Sequence, residues 1–127
     1  MARKSIYTDT FAHANPIPVA TRIGPLVESS VIVGYNPGTR DMPESDATQL
    51  ANLFIHMEAA LTGAGASWDD VIKVDFYTND ADARARINPY WIERFPDADS
   101  LPSRHTHMNP DGGPPRISCA FRAWVES

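Results

Sequence analysis

From residue 46 to residue 63 an apolar side chain recurs at three- and four-residue steps: Leu50, Leu53, Phe54, Met57 and Leu61, continued by Ala64. Residues spaced this way share one face of an α-helix, so the segment predicts an amphipathic helix with a single apolar stripe. Asp46 with Gln49 has the form of a capping box, Ser45 is a second cap, and Gly63 and Gly65 supply the stop. Met57 sits on the stripe and fills core space rather than binding a ligand. One stripe needs one flat partner, most simply a sheet.

The remaining segments supply that sheet. Residues 4–8 form a short strand, and residues 15–20, with Pro16 and Pro18, run extended at a strand edge. Gly24-Pro25 marks a turn over 21–25, and Val31-Ile32-Val33 places a strand over 26–34. Asn36-Pro37-Gly38 makes 35–45 a loop. After a turn at 67–70, residues 71–78 form a strand with Ile72, Val74 and Phe76 on one face. Asn79-Asp80 caps a second helix at 81–94 with Ile87, Trp91 and Phe95 inward. Pro89 interrupts that helix, which either restarts with Asn88 as its cap or kinks there. A loop at 96–100 precedes a strand ending at Met108, and 109–115 is a hairpin-type connection. The last strand, 116–125, puts Ile117, Cys119, Phe121, Ala123 and Val125 on one face and Ser118, Ala120, Arg122 and Trp124 on the other. The fold class is therefore α+β, a mixed sheet with two helices on one face, in one domain spanning 1–127. The mixed second face of the last strand suits a subunit interface, so a homo-oligomer is expected.

Composition excludes several functions. A net charge of -5 without any basic tract lacks the footprint of a nucleic-acid binder. No apolar run approaches a membrane span, and no apolar segment follows the short basic start, so a cytoplasmic setting is expected. The single cysteine, Cys119, permits no internal disulfide and reads as a small buried apolar residue. The four histidines and Cys119 do not fall at zinc-site spacing; His105 and His107 alone are a weak signal, and no metal or cofactor is expected.

One stretch carries recognisable chemistry, Leu101-Pro102-Ser103-Arg104-His105-Thr106-His107-Met108. Strand alternation puts Arg104, Thr106 and Met108 on one face and His105 and His107 on the other. A planar, always charged guanidinium with a hydroxyl two places on is a grip for a small carboxylate. The alternative is a surface arginine paired with an acid.

The chain also resembles the RidA family, known too as the YjgF or L-PSP endoribonuclease family, along nearly its whole length. The resemblance rests on Ile6-Tyr7-Thr8, Gly34, Gln49, Ala64-Gly65, Asp69-Asp70-Val71-Ile72-Lys73-Val74, Asn88 with Tyr90 and Trp91, and Pro102-Ser103-Arg104. It implies a chorismate-mutase-like fold, a homotrimer, and sites in clefts between subunits. It further implies that Arg104 holds a substrate carboxylate while a reactive imine or enamine acid is hydrolysed to a keto acid and ammonia. By position Gly34 shapes the pocket or merely serves a turn, Thr106 takes a small-residue place or fills the strand, and Asn88 bonds the pocket wall or caps a helix.

Two positions depart from the family. Ala120 stands where active deaminases carry a glutamate, and Ile17 where they carry a tyrosine. Alanine neither orients water nor moves a proton. An imidazole can move protons near neutrality, but His105 and His107 lie opposite Arg104, and Asp111 is a loop acid without geometric support. Three functions follow: an imine or enamine hydrolase, a trimer that binds small carboxylates or keto acids without turnover, and an RNA-cleaving protein. The acidic balance argues against the third.

Overall fold

The computed structural model describes residues 2–109, 113, 114 and 116–126. Among them seven strands form one sheet: β1 (Lys4–Ile6), β2 (Ala20–Ile23), β3 (Leu26–Ser29), β4 (Ile32–Val33), β5 (Val71–Thr78), β6 (Ser103–Met108) and β7 (Ile117–Trp124). The order is β1-β2-β3-β7-β5-β6, with β4 also on β7. Only β5 and β6 run parallel, joined through helix α2 (Ala83–Arg94), as a parallel pair requires a crossover. Helix α1 (Asp46–Gly63) follows β4. No helix among the described residues is long and apolar enough to cross a membrane.

Both helices pack on one face. Phe54 of α1 lies 6.2 Å from the Phe76 ring, and Trp91 of α2 lies 6.4 Å from it. Ile117, Cys119, Phe121 and Ala123 of β7 bury toward them, as alternation predicted. Ser118 and Ala120 are half-buried, and Arg122 and Trp124 are exposed on the uncovered face.

Several local expectations are corrected. Residues 20–23 are a strand rather than part of a turn, and Gly24, at φ 55, opens a two-residue hairpin that needs positive φ. The predicted 26–34 strand is two pieces: Glu28 faces Arg122 but Ile32 faces Cys119, one residue more on this side. The Phe121 amide donates to Ser29 Oγ at 2.8 Å, so a side chain fills the gap in the ladder. A second bulge between Val71 and Lys73 ejects Ile72, which is 56% exposed, and gives its inward place to Val71. The first strand ends at Ile6.

Ser45, not an Asp46–Gln49 box, caps α1 by accepting from the Thr48 amide. Gln49 donates instead to the Pro43 carbonyl, and Asp46 pairs with Arg86. Gly65, at φ 75, carries the chain away from the helix end. Helix α2 starts at Ala83 and continues through Pro89, so Asn88 is a mid-helix residue and caps nothing. Burial of Ile87, Trp91 and Phe95 offsets the lost backbone bond.

Within this core His56 is fully buried, its Nε2 2.7 Å from the Tyr35 carbonyl. A carbonyl only accepts, so Nε2 carries the proton and Nδ1, without a partner among the described residues, is bare. Burial lowers the His56 pKa from 6.5, against a smaller opposing pull from the Tyr35 bond. Below pH 6.5 the unfolded chain takes up a proton that the folded chain resists. The stability contribution is therefore whole above that value and declines as pH falls toward the folded pKa. Urea midpoints should drop between pH 7.5 and 5.5, and His56→Gln should flatten the drop; an equal drop in the variant would contradict this origin.

Candidate functional site

Strand β6 lies at the sheet edge and presents Arg104 and Thr106 to the helical side. Residues 88 and 91 are neighbours on one face of α2. Asn88 Oδ1 accepts from the Arg104 guanidinium at 2.8 Å, and the guanidinium carbon stands 5.1 Å from the centre of the Trp91 ring. One edge and one face of the fork are thereby fixed, and among the described residues the other N–H groups are open to a planar anion. Among the described residues no carboxylate pairs with Arg104, unlike Arg86, Arg94 and Arg122. Burial chiefly, and the like charge of Arg84 secondarily, lower the Arg104 pKa from its ordinary value. A half-buried cation without a counter-charge favours an incoming anion.

The structure joins Arg104 to Asn88 and keeps Thr106, 7% exposed, on the same side of the sheet. It does not bring Gly34 to them within one chain. Gly34 follows β4, and β7 and β5 separate β4 from β6. Its close approach is to α1: an added Cβ would stand 2.6 Å from the Gln49 carbonyl oxygen and 2.8 Å from the Gln49 Cα. Beside it a cavity of about 410 Å³ is bounded by Val33, Met42, Tyr77, Asn109, Arg116 and Ser118 among others, and Arg104 does not line it.

The other site readings separate cleanly. His105 and His107 occupy the uncovered face, where Asp75 joins them, with His107 Nε2 2.8 Å from Asp75 Oδ1. Ala120 is the cross-strand neighbour of Asp75. Burial pushes the Cys119 thiol far up, so it is an inert core residue. Asp111 lies outside the described residues. Sequence reasoning missed Trp91 as the platform for Arg104, having placed it only in the core. The N-x-x-W spacing on one helix face was the available signal.

Comparison with known proteins gives a consistent result. The family model described as Endoribonuclease L-PSP matches residues 8–108, a span that includes Arg104 and stops before the strand carrying Ala120. A RutC family protein of Pyrococcus abyssi is 28% identical over 106 residues, covering 82% of each chain. The solved structure of RidA from an Antarctic Psychrobacter superposes with a TM-score of 0.84 at 21% identity, covering 96% of this chain and 99% of that one. A Thermotoga maritima structure described as a putative endoribonuclease gives a TM-score of 0.85 at 22% identity, covering 98% of both.

Proposed function

The chain belongs to the Endoribonuclease L-PSP family, which is the RidA or YjgF family, and from that premise we propose that it hydrolyses small 2-imino or enamine acids to 2-keto acids and ammonia. Arg104 holds the substrate carboxylate, Asn88 and Trp91 hold Arg104, and water attacks the imine carbon. The observation that carries this reading is the half-buried guanidinium, fixed on two sides and lacking a carboxylate among the described residues. The protein acts as a cytoplasmic homotrimer with its sites in clefts between copies. Two features support that assembly: the uncovered sheet face exposes Tyr77 and Trp124, and the cavity beside Gly34 is not lined by Arg104 of its own chain. Arg104 of one copy then meets the Val33–Met42 edge of the next. Thr106 sets the floor of the cleft.

Neither Asn88 nor Thr106 exchanges protons near neutrality, so the rate comes from positioning a reactive substrate and water. Ala120 supports a second reading, a trimer that binds keto acids without turnover. The two are distinguished by generating 2-iminobutyrate with an amino-acid oxidase and following 2-ketobutyrate release. Acceleration by catalytic amounts of protein supports the hydrolase. Saturable 2-ketobutyrate binding without acceleration supports the binder.

A further inference from the structure

On the sheet face opposite Arg104, three side chains with metal-binding atoms converge. His105 and His107 alternate onto this face from β6, and their ring centres lie 3.8 Å apart. The parallel register sets Asp75 of β5 directly beside His105. One ligand atom from each of Asp75, His105 and His107 falls within 4.8 Å of the other two. We infer that these residues form a binding site for a divalent first-row metal ion, of the kind Zn²⁺ or Co²⁺ occupies.

The chemistry of the set favours this. Two imidazoles and one carboxylate are the ligand types that zinc and non-haem iron select when positions remain open for water or a small anion. Bonds of about 2.0–2.2 Å at a tetrahedral angle place neighbouring ligand atoms about 3.3 Å apart, so modest side-chain rotations close the triad. The existing 2.8 Å contact between His107 Nε2 and Asp75 Oδ1 opens by a few tenths of an ångström on that scale. His107 is held in orientation by stacking on Tyr77 at 4.6 Å. Lys73 Nζ stands 3.7 Å from Asp75 Oδ1 and competes for the carboxylate. Its side chain is 40% exposed, and a surface pair of this kind contributes little, so it swings aside. The two histidines alone are too few for a stable site. The acid from the neighbouring strand completes three ligands, and the remaining position falls to water or to a group from a second copy covering this face.

The site is independent of the carboxylate grip, which lies across the sheet, and its test needs no activity measurement. The untagged full chain, stripped with chelator, is titrated with Zn²⁺ in competition with a chromophoric chelator. One ion per chain is expected, and affinity should fall by about tenfold or more in both His105→Ala and Asp75→Asn. His105 is exposed and Asp75 half-buried on the face that the proposed assembly covers, so circular dichroism checks the fold and the mass in solution checks the assembly of each variant. A smaller loss in either variant, or no competition by the native chain, would overturn the site. Co²⁺ supplies a reading that needs no variant: visible absorption bands of a low-coordinate nitrogen–oxygen site are expected, and their absence at stoichiometric Co²⁺ would likewise overturn it.

Discussion

Arg104→Ala should weaken 2-ketobutyrate binding more than a hundredfold while leaving the fold as stable as before to within about 1 kcal/mol. The two halves of that expectation come from opposite terms. Truncating one partner of a desolvated, hydrogen-bonded charge pair typically costs about 3 kcal/mol or more, which is over two decades in affinity. For stability the variant loses one bond to Asn88 and a cation–π contact with Trp91, each worth about 1 kcal/mol. It also sheds a half-buried cation that burial and Arg84 already penalise, so the terms oppose. Arg104→Lys should recover only part of the affinity, because an ammonium cannot present the planar fork. Calorimetric titration with 2-ketobutyrate and a urea melt measure both halves. A variant that binds like the native protein, or one that unfolds, would make Arg104 a structural residue.

Gly34→Ala should destabilise the fold by about 3 kcal/mol, the upper end of the usual overpacking cost. The new methyl meets backbone rather than a flexible side chain, with the Gln49 carbonyl oxygen at 2.6 Å and Cα at 2.8 Å, so α1 must shift from β4. For a chain of this size that corresponds to a melting temperature roughly 12 °C lower. Gly38→Ala is the control. It has open space, with its nearest neighbour the Asp9 carbonyl at 3.8 Å, but a φ of 77°, so only local strain of about 1–2 kcal/mol is expected. Equal losses in the two variants, or none at Gly34, would show that helix and strand yield freely there.

What the sequence made legible is what periodicity encodes. The α1 stripe, the two faces of β7 and the inward trio Ile87, Trp91 and Phe95 all lie where their spacing put them. Bulges were not legible. Ile72 is as apolar as Val71, so nothing in residue type says that the strand inserts a residue and turns Ile72 out. The break at Ser30 and Val31, where the β-branched run begins, is hidden in the same way. Residues 20–23 were masked by the Gly24-Pro25 turn signal next to them. At the site, Arg104 was visible because strand alternation is local. Asn88 drew a capping interpretation because Pro89 ordinarily starts a helix, and only the uninterrupted α2 turns that amide onto Arg104. Asp75 carried no signal at all, since its place beside His105 depends on a parallel register set by a crossover of two dozen residues.

The central claim is that Arg104 grips a carboxylate in a cleft shared between copies. A crystal structure of the protein with 2-ketobutyrate tests it most directly. The account predicts both carboxylate oxygens at about 2.7–2.9 Å from the Arg104 guanidinium, with the Asn88 bond kept and the Val33–Met42 edge of a neighbouring chain closing the cleft. Ligand bound elsewhere, or at an Arg104 that faces only its own chain and bulk solvent, would contradict it.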